Sequence, residues 1–260
     1  MSFETILYEI KDGVAEIRFN RPQRLNAVIQ QLYEELNVAL GLAEADQNAR
    51  VVLLTGEGRA FCVGADLKAH KVGRTAFERR QYLQGEQTVC KRLLQLKRPV
   101  VAAVNGYALG AGAELAIASD FLLMAEDAQI GLPEISLGTF LGGGVTALLP
   151  RLVGLAKARE LVFLGERIKG AEAVRIGLAN RSFPDAGFLD AARAFARRVA
   201  GKAPIAMQLA KEQLNFAAER TLDAVLAAEL EGMTFVATTK DWQEGVDAFG
   251  EKRAPVFKGE

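Results

Sequence analysis

Two glutamates, each set in a run of small and apolar residues, carry the chemistry of this sequence. Glu114 lies in NGYALGAGAELA (Asn105–Ala116), directly after the apolar run PVVAAV and the triplet Gly110-Ala111-Gly112. Small residues let a ligand approach the backbone closely. N–H groups at a helix start lack intrahelical acceptors and attract negative charge. Glu134 lies in QIGLPEISLG (Gln129–Gly138), after Pro133, a residue suited to the first position of a helix. A third segment, AFCVGADL (Ala60–Leu67), offers Gly64, whose backbone freedom lets the N–H of Ala65 point into a cleft. With the N–H of Ala111 this makes two donors for one oxyanion, an arrangement in which losing one donor costs about 10²–10³ in rate. Two donors and two carboxyl groups suit addition of water to a C=C conjugated to a thioester. The enolate-like oxygen sits on the N–H pair, one carboxylate takes a proton from water, and the other carboxyl delivers a proton to the α-carbon.

These groups need a frame. Alternation at Ile6, Tyr8, Ile10 and at Ala15, Ile17, Phe19 around Asp12-Gly13 predicts a β-hairpin. Leu32, Leu36, Leu40 and Ala43 recur at helical spacing. RVVLLTG, PVVAAVNG and DFLLMAED read as short buried strands, and GEGRAFCVGADL as a glycine-bearing loop. Thr75 and Glu78 have capping-box spacing and open a long helix to about Leu96. Buried strands alternating with helices predict an α/β fold with parallel pairing. From about Asp190 the pattern turns helical, with one face at Ala192, Phe195, Ala196 and Val199. Further faces run through Met207, Ala210, Leu214 and Ala217, and through Leu222, Leu226, Leu230 and Met233. Asp241 with Glu244 suggests a last cap, with the helix ending at Gly250. The stretch Gly201-Lys202-Ala203-Pro204 marks a hinge between a core of residues 1–200 and a helical region of residues 201–260.

Composition narrows the function. The chain has 260 residues, with Lys+Arg 32 balanced by Asp+Glu 32, so nothing global favours nucleic acid or an anionic membrane. No apolar run can span a bilayer, and the start MSFETILYEI lacks the features of a signal peptide. Cys62 and Cys90 form no CxxC motif, which points to a reducing compartment such as the cytoplasm. With His70 the single histidine, neither a Cys/His zinc site nor a Ser-His-Asp triad is expected, and no metal is implied. A dinucleotide fingerprint fails at Leu115, where a third glycine is needed, and Glu114 would meet the pyrophosphate. Gly142-Gly143-Gly144 is followed by no Lys-Ser/Thr and so is no phosphate loop.

The segments AFCVGADLK, KRPVVAAVNGYALGAGAELA, AEDAQIGLPEISLG and AFGEKRAPVFKG together resemble the crotonase (enoyl-CoA hydratase/isomerase) superfamily. The resemblance runs from FNRPQRLNA to the C-terminus. It implies a spiral of ββα turns with a helical C-terminal region, an acyl-CoA substrate, no separate cofactor, and assembly as a homotrimer or a homohexamer of paired trimers. It places the oxyanion donors on the N–H groups of Ala65 and Ala111, water activation on Glu114 and proton exchange at the α-carbon on Glu134. It assigns coenzyme A contacts to Arg24, Leu25, Val63 and Lys68, and to Phe249 and Lys252 from a neighbouring subunit. Retention of both glutamates favours a hydratase; a Δ3-Δ2-enoyl-CoA isomerase and a branch acting on branched, cyclic or aromatic acyl groups are the alternatives. Two departures stand out: Ala111 replaces a common glycine, and GTFLGGGVTALL replaces the GTIPGAGGTQRL frequent in hydratases, putting Leu141, Ala147 and Leu148 where proline, glutamine and arginine occur. Some members of the superfamily bind RNA through a basic helix. Arg74, Arg79, Arg80, Lys91, Arg92, Lys97 and Arg98 lie on or near the long helix here, but Glu78 and Glu86 interrupt them and no nucleic-acid partner is expected.

Overall fold

The computed structural model describes residues 2–68 and 75–260, so His70 and Arg74 lie outside the described residues. The chain opens with the hairpin β1 (Ile6–Lys11) and β2 (Val14–Phe19), paired from Ile6↔Phe19 to Lys11↔Val14. Asp12 and Gly13 both take positive φ, 52° and 79°, the two-residue turn that matches strand twist. Helix α1 (Gln30–Ala45) buries Leu32, Leu36, Leu40 and Ala43, as their spacing predicts.

A repeating unit follows: a strand in a large sheet, a short strand in a small sheet, then a helix. The first is β3 (Val51–Gly56), β4 (Ala60–Cys62) and α2 (Ala76–Gln95). The second is β5 (Val100–Val104), β6 (Tyr107–Leu109) and α3 (Ala111–Ile117). The third is β7 (Phe121–Ala125), β8 (Gln129–Gly131) and α4 (Val145–Leu164), followed by β9 (Ile168–Lys169), α5 (Gly170–Arg175) and β10 (Arg181–Phe183). The large sheet has the order β1-β2-β3-β5-β7-β10 and the small one β4-β6-β8-β9. Apart from the β1/β2 and β8/β9 pairs the strands run parallel. This is the expected α/β spiral. Sequence periodicity missed the small sheet: Ala60–Cys62, read as loop, is strand β4, because three residues cannot establish an alternation.

The capping box at Thr75 and Glu78 is present, with the Thr75 hydroxyl accepting from the Glu78 N–H at 3.2 Å. Helix α6 (Phe188–Ala200) packs Ala192 and Ala196 against the large sheet. Past Gly201 come α7 (Pro204–Phe216), α8 (Leu222–Val236) and α9 (Lys240–Glu251). The cap of α9 is the Thr239 hydroxyl, which accepts from the Trp242 N–H at 3.1 Å, rather than Asp241. Asp241 instead accepts from the Lys258 and Gly259 N–H groups and pins the C-terminal tail. Buried Lys211 on α7 donates to the Leu93 and Arg98 carbonyls and pairs with Asp120 at 2.7 Å, which joins the helical region to α2 and β7. Among the described residues no helix is long and apolar enough to cross a membrane.

Candidate active site

Strands β4, β6 and β8 are neighbours in the small sheet and run parallel, so all three end at one edge. The segments that follow them are Val63–Ala65, Gly110–Ala111 and Leu132–Glu134. Three motifs far apart in sequence therefore meet at one place, outside the carboxyl ends of the strands.

Two glycines shape the meeting point. Gly64 has φ +85°, and a Cβ there would stand 2.8 Å from the Leu109 carbonyl oxygen and 3.4 Å from the Ala111 nitrogen. Gly110 has φ +55° with ψ −128°, a backbone closed to residues with a Cβ. A Cβ on Gly110 would lie 3.1 Å from Glu134 Oε1, so the Glu134 carboxyl sits over this turn. Ala65 forms a parallel bridge with Val28, in which the Val28 N–H donates to the Gly64 carbonyl and the Asp66 N–H to the Val28 carbonyl. In such a bridge the N–H of Ala65 itself faces away from Val28. Ala111 is the first residue of α3, so its N–H has no intrahelical acceptor. Ala65 is exposed and Ala111 is buried at the cleft wall.

Glu114 is 1% exposed and Glu134 7%. Glu114 is in the first turn of α3, and its carboxylate accepts from the Gly142 N–H at 3.1 Å and from the Gly143 N–H. Burial pushes its pKa up, while these two N–H groups pull it down by favouring the ionised form. The net shift of Glu114 is upward, as it is for Glu134, which lacks such a pair of donors. The Glu134 Oε2 is buried without a partner among the described residues. Burial first, and repulsion from Glu114 after it, raise its pKa to about 7, against the pull of its own backbone N–H. Glu134 lies in a helical turn, as Pro133 suggested, with φ −53° and ψ −49° and the Leu137 N–H donating to the Pro133 carbonyl. It precedes a single 3-10 turn, Ile135–Leu137, which Gly138 ends at φ +69°.

A third carboxyl joins them. Glu86 on α2 is 8% exposed, and burial followed by repulsion from Glu114 raises its pKa to about 8. Sequence reading took Glu86 only as a break in a basic face. The available signal was its place three, four and seven residues before Val89, Cys90 and Leu93, which are all buried. Gly142 and Gly143 were also missed as partners of Glu114. The reason for small residues there is space: a Cβ would come within 2.9 Å of Glu86 Oε2 at Gly142 and 2.5 Å of Glu114 Oε2 at Gly143.

Two of the expected coenzyme A contacts, Leu25 and Val63, meet beside Ala65. The Val63 N–H donates to the Leu25 carbonyl at 3.3 Å, with Arg24 and Lys68 exposed nearby in sequence. Leu25 and Asn26 have φ of 50° and 57°, and Asn26 fixes this loop by donating to the Glu57 and Ala60 carbonyls and accepting from the Arg21 N–H. Arg21 pairs with Asp66 at 3.0 Å, anchoring the residue after Ala65. Phe249 and Lys252 are not brought to the carboxyl groups within one chain. Phe249 is 88% exposed and lines a groove of about 520 Å³ with Ile205, Val236, Trp242, Val246 and Phe257. Ala147 and Leu148 line a second cavity, about 580 Å³, with Ile117, Phe121, Leu152 and Leu214. Among the described residues no cluster of three or more His, Cys, Asp or Glu has a metal-holding arrangement.

The chain matches the enoyl-CoA hydratase/isomerase family over residues 9–260. It is 36% identical to a short-chain-enoyl-CoA hydratase of Clostridium acetobutylicum over 97% of both chains. It is 40% identical to the 2,3-dehydroadipyl-CoA hydratase of Escherichia coli over 94% of both chains. A crystal structure of an enoyl-CoA hydratase from Bacillus anthracis superposes with a TM-score of 0.94 at 39% identity, covering 99% of this chain and 100% of that one.

Proposed function

The chain belongs to the enoyl-CoA hydratase/isomerase family, and on that premise we propose that it is an enoyl-CoA hydratase, adding water to a 2-enoyl-CoA to give the 3-hydroxyacyl-CoA or running the reverse dehydration. The observation that carries this reading is the meeting of Glu114 and Glu134, both buried, beside the turns that expose the Ala65 and Ala111 N–H groups.

The thioester oxygen is held by those two N–H groups, which favour the enolate over the ground-state carbonyl. Glu114 is the water-activating base, because the Gly142 and Gly143 N–H groups favour its ionised form. It takes a proton as the water oxygen bonds to C3, and the C=C electrons pass to the thioester oxygen. Glu134, with a pKa of about 7, holds a proton in a large fraction of molecules at neutral pH. It delivers that proton to C2 as the enolate collapses, and transfer of the water-derived proton from Glu114 to Glu134 restores the starting state, so no net proton is consumed. With both carboxyl groups buried at one place, the water and the proton would reach the same face of the C=C, which supports syn addition. These steps use protons and hydrogen bonds alone; coenzyme A enters as part of the substrate.

Arg24, Leu25, Val63 and Lys68 contact the coenzyme A portion in this reading. Residues 201–260 serve assembly. Leu222, Leu226, Leu230 and Met233, all exposed in one chain, form a patch of the kind that subunit contacts cover. A homotrimer or a dimer of trimers would bring Phe249 and Lys252 to a neighbour's coenzyme A pocket; sedimentation velocity showing a monomer would refute this. The free, buried thiols of Cys62 and Cys90 support a reducing compartment such as the cytoplasm.

A panel of straight, branched, cyclic and aromatic enoyl-CoA thioesters, scored by mass spectrometry for a gain of one water, tests the activity. Water addition to a 2-enoyl-CoA is the expected result. Conversion of a 3-enoyl-CoA to its 2-enoyl isomer without water addition would make the enzyme an isomerase.

A further inference from the structure

The proposed reaction uses two carboxyl groups, yet three are buried together, and the third has an arrangement of its own. Glu86 reaches the site from α2 and lies within hydrogen-bonding reach of Glu114 on one side and of the Tyr33 hydroxyl, from α1, on the other. Tyr33 is itself buried. Gly142, whose N–H holds Glu114, has no side chain because the Glu86 carboxyl occupies that space. The titratable groups around Glu86 are Tyr33 from α1, Cys62 from β4, Cys90 from its own helix, Glu114 from α3, and Glu134. None of these is a cation, so among the described residues no group beside Glu86 compensates a second negative charge. Two adjacent buried carboxyl groups without a cation share one proton. Glu114 accepts two backbone N–H bonds and is the better anion; Glu86 is left to hold the proton.

We propose that Glu86 is a positioning residue that stays protonated at neutral pH and donates a hydrogen bond to Glu114, keeping Glu114 ionised and aimed at the water. Tyr33 in turn orients Glu86. The inference rests on the hydratase reading for the role of Glu114, while the protonation of Glu86 is independent of it. When Glu86 ionises, with a pKa of about 8, Glu114 loses its donor and gains a like charge as an enolate forms nearby. Activity then needs two protons on the three carboxyl groups: one on Glu86 and one exchanged between Glu134 and Glu114.

The test uses the full-length wild type with Glu86→Gln and Glu86→Leu. Gln keeps a donor to Glu114 but cannot ionise, so its kcat at pH 7 should stay within roughly threefold of wild type. Leu removes the donor and should lower kcat about 10- to 100-fold, the range for a hydrogen bond to a charged group, with KM little changed. Above pH 8 the wild-type plot of log kcat/KM against pH should steepen towards a slope of −2, while Glu86→Gln holds a slope of −1. Infrared difference spectra without substrate should show two protonated-carboxyl losses in wild type, one near pH 7 from Glu134 and one near pH 8 from Glu86, and only the first in Glu86→Gln. Equal slopes and equal bands in wild type and Glu86→Gln would overturn the proposal, as would unchanged kcat in Glu86→Leu. If the leucine variant does not fold, the slopes and bands decide alone. A wild type that hydrates no enoyl-CoA but shows the Glu86 loss would sink the hydratase reading and leave the Glu86 proton in place.

Discussion

Replacing Glu134 with glutamine should make the protein more stable at alkaline pH while stopping its chemistry. Burial lifts the Glu134 pKa from the usual 4.5 to about 7, and among the described residues its Oε2 has no partner to offset the charge. The folded state thus binds this proton more tightly than the unfolded state. The stability it contributes is complete below pH 4.5, falls as pH rises, and is lost by pH 7. The 2.5-unit gap between 4.5 and about 7 corresponds at most to about 3 kcal/mol at 1.36 kcal/mol per unit. Gln cannot ionise and escapes this penalty. Glu134→Gln should therefore exceed wild type by about 3 kcal/mol at pH 8 but only by about 1 kcal/mol at pH 5. For a chain of this size that is a rise in Tm of roughly 5–10 °C at pH 8 and a few degrees at pH 5. The same change removes the proton donor to C2 and should lower kcat by about 10²–10⁴. The assay pairs thermal unfolding at fixed protein concentration, at both pH values, with hydration of crotonyl-CoA followed by loss of enoyl-thioester absorbance. A Tm difference that does not grow from pH 5 to pH 8 would refute the claim of an uncompensated buried carboxylate. Wild-type turnover in the variant would refute its catalytic role.

Three further outcomes follow from other parts of the structure. Glu114→Gln should lower kcat about 10²–10⁴-fold with coenzyme A affinity unchanged, measured by steady-state kinetics and calorimetry; retained turnover would remove Glu114 as the base. Gly64→Ala forces a Cβ to within 2.8 Å of the Leu109 carbonyl oxygen at φ +85° and should cost about 1–3 kcal/mol of stability and about 10² in kcat, by displacing the Ala65 N–H. Denaturation midpoints and kcat check it, and a fully active, equally stable variant would contradict the oxyanion assignment. Lys211→Met leaves Asp120 with the Val100 N–H but without its cation and should destabilise the fold by about 3–5 kcal/mol with kcat preserved in the folded fraction; an unchanged urea midpoint would show that the pair is dispensable.

The sequence by itself determined the chemistry and the parts. Chain-local signals specified the Asp12-Gly13 turn, the Thr75 and Glu78 cap and the buried strands, because each depends on residues a few positions apart. Glu114, Glu134, Gly64 and Gly110 were legible for the same reason: small residues beside an acid in an apolar run are a local oddity. Tertiary structure alone decided which groups meet. β4, β6 and β8 are too short to show periodicity, yet their parallel pairing brings three distant loops to one edge. Glu86 entered the site because α2 packs its Glu86, Val89, Cys90 and Leu93 face inward, so a residue resembling part of a charged surface became the third buried carboxyl. Gly142 and Gly143 became the partners of Glu114 through contacts 28 and 29 residues away in sequence. The balance that separates Glu114 from Glu134 is likewise three-dimensional. Both are buried glutamates, and two N–H donors at one, against an oxygen unpartnered among the described residues at the other, support the proposal that the first is the base and the second carries the proton.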